Sequence, residues 1–425
     1  MSLERERREQ EQSPSPIVFF LHAYQPPREL YFVNDGHGEA LQIYPEINEQ
    51  IYREVYRPIL VDSEERFPQG MVFSFYSTLR EWMKSAHPDD FEKMVDLVGR
   101  QKDREYQVLG DPFIHAILPL LPEDDQGLLL DLGQKAFGED FGFTPKGLWL
   151  PETAVSSATL DKAKEVGYEF VVLRDDQIVF PPGVKKEQPV FVSLPSGGKM
   201  GVFWFETSES GKVAFDDRET INVDNFLERC QNSQEQLAVG VDMETFGHHK
   251  PGREKFLLEA LSPAVLTSHR IAPLNLKEAL AKPSGEKIFV GLVENSSWSC
   301  PHLLGRWRGT CSCDSPSEAV LAEKRKLYEE LAAFNSEFQI SEGQESDFIK
   351  RVLRVREDLF AGRNFEAKFC FGLTDEEKKQ YLGKLYSLLG FTSCGWFWGA
   401  DNRQERMITK KALETLGALA NEKQG

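Results

Sequence analysis

Through about residue 300 the chain alternates short, unbroken apolar runs with longer stretches in which apolar residues recur every three or four positions. The short runs are IVFFLH (17–22), MVFSFY (71–76), YQVLG (106–110), GLWLP (147–151), FVVL (170–173), LAVGVDME (237–244) and IFVGLVE (288–294). A run without polar alternation reads as a strand covered on both faces. Between these runs, DDFEKMVDLVGRQK, SSATLDKAKEVG and REKFLLEALS carry helical periodicity, and the second closes on Gly167, a residue suited to a helix C-cap. Strand alternating with helix predicts an α/β fold with a parallel sheet, and chemistry-bearing residues at the strand ends predict closure into a β/α barrel.

Two segments break the rhythm. VFVSLPSGGKMGVFWF (190–205) sets two alternating runs about SGGK, a turn signal, and predicts a β-hairpin inserted in the barrel. From 314 onward strand-like runs give way to helical ones, as in SPSEAVLAEKRKLYEELAAFNSEF and TDEEKKQYLGKLYSLLGF. The expected division is a charged, disordered tail over 1–15, a barrel over 16–313 and a C-terminal helical domain over 314–425.

Bulk properties narrow the setting. A 425-residue chain that is 40% hydrophobic can bury a large core. Its formal net charge of −18 argues against a binder that tracks nucleic-acid phosphates, whereas a neutral polymer such as a glycan is compatible. No signal-peptide run opens the chain and no stretch reaches membrane-helix length, so a soluble, cytoplasmic protein is expected. The six cysteines are too sparse for a disulfide scaffold, and reduced thiols are the expectation.

Candidate chemistry sits where strands end, as it does in parallel barrels. LHAYQPP places His22, Tyr24 and Gln25 at the end of the first strand; His22 alone has a plain alternative as a satisfied buried histidine. Asp111 and His115 follow another strand, and a helix-capping Asp with a helix-face His would also explain them. GLWLPE ends a strand on Trp149 and Glu152, an aromatic face able to stack on a sugar ring beside an acid at a helix start. VDMETFGHH is densest: Asp242 and Glu244 share one strand face, followed by Gly247, His248 and His249. Burying two carboxylates costs several kcal/mol unless chemistry exploits them. Glycoside hydrolysis needs such a pair, about 5–5.5 Å apart for retention of configuration and about 6.5–9.5 Å for inversion.

These segments, in this order, resemble the family 57 glycoside hydrolases, whose motifs include a His-and-Gln-Pro motif on the first strand, Trp-x-x-Glu and Asp-x-Glu-x-x-Gly. LHAYQPP, WLPE and VDMETFG match them, GDPFIHAILPLL resembles the region between, and ENSSWSCPHLLGRWRGTCSCD (294–314) and FTSCGWFWG (391–399) extend the likeness along the chain. The resemblance implies an incomplete seven-stranded β/α barrel with a C-terminal helical domain. It implies Glu152 as nucleophile and Asp242 as acid/base in a retaining reaction on α-linked glucans, by hydrolysis or by transglycosylation. His22, Gln25, Glu244, Trp149 and His248 are implied to line the sugar subsite, and Asp111, His115, Trp298 and Trp396 join them as substrate-binding candidates. Tyr24 departs from the commoner motif, which has a second His there, and leaves the glycan and linkage open.

Cys300, His302, Cys311 and Cys313 form a zinc-ligand set on paper, but Cys-x-His and Cys-x-Cys lack the two-residue gap typical of structural zinc loops. No metal and no cofactor are therefore expected. Trp298, Trp307, Trp396 and Trp398 read either as sugar platforms or as core aromatics. Two other functions compete: a metal-dependent carbohydrate deacetylase using Asp242, His248 and His249, and a glycan-binding protein without turnover. Adjacent histidines on extended backbone point to opposite sides, which weakens the first; the presence of both carboxylates weakens the second.

Overall fold

The computed structural model describes residues 14–28, 45–62, 67–184, 187–233, 236–281, 287–313, 315–397 and 406–421. The expected tail up to residue 13, and Trp398, lie outside them.

Among the described residues seven parallel strands follow one another around a barrel, β1 (Ser15–Ala23), β2 (Met71–Phe75), β3 (Val108–Leu109), β4 (Gly147–Leu148), β5 (Phe170–Arg174), β6 (Gly198–Phe205) and β7 (Leu237–Asp242), and a short eighth, Ile271–Pro273, pairs parallel with the start of β1. Strand β1 pairs with β2 and β7, β2 with β3, β4 with β5, and β5 with β6. The two seams are thin. One bridge, Gly110 to Leu148, links β3 to β4, and the Glu206 N–H bonds the Ala238 carbonyl at 3.0 Å between β6 and β7. The hairpin around SGGK forms as expected, but its second arm is β6 itself, a barrel strand paired parallel with β5, so it is no insertion.

Alternation along each strand sorts the core. Val18 and Phe20 of β1 point inward with Val72, Leu109, Trp149, Phe170, Val172, Phe203, Phe205 and Ala238, so every strand or its immediate end feeds one interior cluster. Ile17, Phe19 and Leu21 point outward against the covering helices. Unbroken apolar runs are the sequence signature of this two-sided burial. A Cβ on Gly240 of β7 would stand 2.3 Å from the Phe205 ring, so the absence of a side chain there lets that ring fill the interior.

Helices α1 (Glu318–Glu337), α2 (Glu342–Phe360), α3 (Asp375–Gly390) and α4 (Arg406–Asn421) follow the barrel. Their apolar faces, including Leu331, Val352, Leu385 and Leu416, share one core with the barrel-side residues Phe113, Leu129 and Leu160. Buried charges cross the same seam. Arg80 donates to Asp111 at 2.8 Å and to Asp140 at 2.8 Å, with both arginine and Asp111 side chains fully buried. Arg356 of α2 reaches Asp140 at 2.7 Å and Glu81 at 3.1 Å.

This network revises the reading of Asp111. Its Oδ1 accepts from the Ser77 backbone N–H and hydroxyl, closing the start of helix Ser77–Ala86, while Oδ2 holds Arg80. With no exposed surface, Asp111 is a brace beneath the site and not a sugar contact. Asp111→Ala strips buried Arg80 of one of its two carboxylate partners and the Ser77–Ala86 helix of the acceptor at its start, and is expected to cost about 3–5 kcal/mol in a denaturant titration. A change in substrate KM at unaltered stability would instead mark Asp111 as a binding residue.

Candidate active site

The period of two that lines the barrel also selects what stands at its mouth. In β1 the inward series Val18, Phe20 continues to His22, and the register sets His22 beside Ser74 of β2 and Asp242 of β7. Asp242 is likewise the next inward position after Ala238 and Gly240. Strand geometry thus brings residues 52 and 220 positions from His22 into one layer at the C-terminal ends of the strands.

Glu152 reaches that layer from the turn Pro151–Thr153 after β4. Its backbone is left-handed, φ +56°, as is that of Thr153 at φ +48°. Such conformations cost of order 1–3 kcal/mol each and persist where surrounding bonds over-determine them. Here the Trp298 N–H donates to the Glu152 carbonyl at 3.0 Å and to Thr153 Oγ1 at 3.0 Å, while Gln177 accepts from the Thr153 hydroxyl and donates to the Thr153 carbonyl. The carboxylate is held from the same segment: Oε2 accepts from Trp298 Nε1 at 3.0 Å and from the Ser299 hydroxyl at 2.5 Å.

Three carboxyl groups share this region in three electrostatic states. Asp242 opens onto the cleft, yet protein surrounds it closely. Burial, then the charges of Glu244 and Glu152, push its pKa well above the carboxylate range. Glu244, only 5% exposed, is raised by burial but opposed by hydrogen bonds from Tyr56 and from Gln25 at 3.0 Å. Burial also raises Glu152, against the Ser299 and Trp298 hydrogen bonds and the Arg306 charge, which favour its anion. Among the described residues no hydrogen bond supports an Asp242 anion. The surroundings thus push Asp242 strongly towards its acid form, while donors to Glu152 and Glu244 oppose the rise in theirs.

A neutral histidine pair floors the cleft. His22 Nε2 meets His115 Nε2 at 3.1 Å, His22 Nδ1 meets the Ser74 hydroxyl at 2.8 Å, and His115 Nδ1 meets the Ser393 hydroxyl at 2.6 Å. One ring must donate and the other accept across the Nε2 contact, and the flanking hydroxyls can satisfy either sense. Burial lowers His22 to about 3 and His115 well below its ordinary value. The Tyr24 ring stacks on His115 at 3.8 Å, so the residue that departs from the commoner motif occupies the second face of this pair.

Among the predicted site residues the structure gathers Glu152, Asp242, Glu244, His22, Gln25, His115 and Trp298. Trp149 is close but cannot stack on a ligand: it is fully buried, with His22 on one side at 5.1 Å and Phe205 at 6.2 Å. Trp298, half-buried, packs edge-on to it at 5.4 Å. Trp396 is 3% exposed, donates to the Gly390 carbonyl at 3.0 Å and packs on Tyr328, which makes it a core aromatic of the helical segment. His248 turns to Glu54 at 2.7 Å. Asp242, His248 and His249 do not form a chelating group; among the described residues only Cys300, His302, Cys311 and Cys313 lie together that way. Ser299, Ser74, Tyr56 and Ser393 escaped the sequence reading. Ser74 had a signal, being the inward position of β2; Ser393 lies 278 residues from the histidine it touches and had none.

The fold and the mouth define a parallel β/α-barrel protein whose cleft gathers carboxyl groups at the strand ends. The glycosyl hydrolase family 57 profile matches residues 18–290, and the chain belongs to that family. A 4-alpha-glucanotransferase of Thermococcus litoralis is 26% identical over 267 residues, 60% of this chain and 39% of that protein. An alpha-amylase of Pyrococcus horikoshii is 23% identical over 286 residues, 65% of this chain and 44% of that one. The chain thus spans less than half the length of these relatives. A crystal structure of an exo-type maltose-forming amylase from Pyrococcus sp. ST04 shares the fold with a TM-score of 0.67 at 16% identity, covering 96% of this chain and 81% of that one. No described helix is long and apolar enough to cross a membrane.

The histidine pair yields a sign-specific expectation. A folded-state pKa below the unfolded value means stability fully present above the unfolded pKa of about 6.5 and lost as pH falls toward the folded value. NMR of the imidazole nitrogens is expected to show both rings neutral from pH 8 down to about 4; a charged His22 at pH 6 would contradict the buried neutral pair.

Proposed function

We propose that this protein is a retaining glycosidase or transglycosylase acting on α-linked glucans through a covalent glycosyl-enzyme. The observation that carries the reading is the contrast between two carboxyl groups at one mouth: Asp242, with burial and two like charges favouring its acid form, and Glu152, with two donors favouring its anion. Environments that drive paired acids apart assign one as acid and the other as nucleophile.

On this reading Glu152 attacks the anomeric carbon as the bond to the leaving oxygen breaks, and Asp242 delivers its proton to that oxygen. The product is a glycosyl ester on Glu152, and Asp242 is now the anion. It then removes a proton from an incoming hydroxyl, whose oxygen attacks the anomeric carbon and frees Glu152. Water as acceptor gives hydrolysis, and a sugar hydroxyl gives transfer. Glu244 takes no proton in the cycle; its charge, fixed by Tyr56 and Gln25, keeps Asp242 protonated between turnovers. Residues 16–313 form the catalytic unit, and the helical domain from 314 completes the site through Ser393. The names of the amylase and glucanotransferase relatives support the substrate class. None of the six cysteines, all among the described residues, is in a disulfide, which suits a cytoplasmic setting.

Assays on maltooligosaccharides are expected to show a loss of at least about 10³-fold for Glu152→Gln and of about 10²–10⁴-fold for Asp242→Asn. Glu244→Gln removes one of the charges that raise Asp242, so the alkaline limb of kcat/KM should move to lower pH while the acidic limb stays. An unmoved alkaline limb would remove Glu244 from this role, and full activity of Glu152→Gln would overturn the proposal.

A further inference from the structure

The two sulfur-rich turns that the spacing rule set aside meet in space. Cys300 Sγ lies 3.5 Å from Cys311 Sγ, His302 Nδ1 lies 3.2 Å from Cys311 Sγ, and Cys313 Sγ lies 3.5 Å from His302 Nδ1. All four donor atoms fall within 4.8 Å of one another. Zinc bonds of about 2.3 Å to sulfur and 2.0–2.1 Å to nitrogen, arranged as a tetrahedron, require donor separations of about 3.5–3.8 Å. The three contacts of 3.2–3.5 Å lie close to those separations, and three thiols with one imidazole are the donor chemistry of a zinc site.

Backbone N–H groups are aimed at the sulfurs, as they are around metal-bound cysteines. The Cys313 N–H points at Cys311 Sγ at 3.2 Å, and the N–H groups of His302 and Arg306 point at Cys300 Sγ. In both turns the amide two residues on from a cysteine donates to its sulfur. A neutral thiol is a weak acceptor, whereas a metal-bound thiolate takes charge-assisted bonds. The missing second residue in each pair is compensated by the loop between them. The helical turn Gly305–Arg308 and Gly309, at φ +67°, swing Cys311 back over Cys300; a Cβ on Gly309 would meet the Leu321 carbonyl at 2.7 Å. Spacing conventions for zinc loops assume both ligands of a pair sit on one tight knuckle, and here the long loop supplies the closure.

The node also has a position. Cys300 directly follows Ser299 and Trp298, the two donors to the Glu152 carboxylate, and Ser297 bridges Cys300 across the same turn. Downstream, Arg325 of α1 binds the Gly309 carbonyl at 2.8 Å and Lys324 binds the Arg306 carbonyl at 3.3 Å. We propose that Cys300, His302, Cys311 and Cys313 bind one zinc ion as a closed structural Cys₃His site that fastens the segment holding Glu152 to the first C-terminal helix. With four protein ligands the ion has no open position and takes no part in bond making.

The full chain, purified under reducing conditions, is expected to carry about one zinc per molecule by elemental mass spectrometry. Replacement by Co²⁺ should give the visible bands of tetrahedral cobalt and a thiolate-to-cobalt band in the near ultraviolet. Cys311→Ser and His302→Ala should each lower zinc retention at least tenfold after dialysis against a chelator, with Cys230→Ala unchanged. Should those variants fail to fold, titrating the parent protein with a mercurial settles the matter: release of zinc in step with the modification of three thiols supports the site. Parent protein that binds neither Zn²⁺ nor Co²⁺ under reduction would overturn the proposal. So would a Cys300–Cys311 disulfide in the reduced preparation, or folded variants that keep their metal.

Discussion

Three carboxyl groups held together at the mouth of one barrel set the terms for the rest of the molecule. Carboxylates crowded in this way repel one another and lose hydration, so the fold must either supply donors or leave a proton in place. It does both. Gln25 and Tyr56 stabilise Glu244, Trp298 and Ser299 stabilise Glu152, and Asp242 is left without such help. The asymmetry is created by neighbours and not by the acids themselves. It makes two chemically similar groups unequal at the same pH, which is what acid catalysis beside a nucleophile requires.

Holding that asymmetry depends on rigidity at two levels. Parallel strands with inward and outward rows fix His22, Ser74 and Asp242 by register, so their relative positions follow from backbone pairing. Glu152 has no such register, since it stands on a turn with left-handed backbone. Its geometry comes from the 296–299 segment and from Gln177, each bond of which restrains a conformation the residue would not adopt alone. Behind the site, the Arg80–Asp111–Asp140–Arg356 network ties the barrel wall to the helices, so that Ser393 can reach His115 across the seam. The helical segment is thus part of the site's support as well as of its core.

Much of this is legible in the sequence, for a physical reason. Two-sided burial writes each barrel strand as an unbroken apolar run, and the parity of Val18, Phe20 and His22 carries the inward row to its functional end. What the sequence hides is which polar groups find partners. Asp111 looks like a strand-end acid of the same type as Glu152, and only the tertiary structure puts Arg80 against it. Trp149 and Trp396 have the composition of sugar platforms, but ring faces covered by His22 and Phe205, or packed on Tyr328, leave no platform. Tyr56 enters from the helix Tyr52–Val61, whose pattern signals only amphipathic packing. The cysteine spacing hides a proximity as well, because a rule about local knuckles says nothing of a loop that folds back and brings Cys300, His302, Cys311 and Cys313 together.

The most direct measurement of the central claim is the identity of the residue that carries the sugar. An α-glucosyl fluoride whose added ring fluorine slows breakdown of the glycosyl-enzyme should accumulate that species, and peptide mapping by mass spectrometry locates the ester. A single glycosylated residue, Glu152, is expected. A label on Asp242 or Glu244 would contradict the division of roles drawn from their surroundings, and turnover by inversion without any adduct would contradict the covalent mechanism itself.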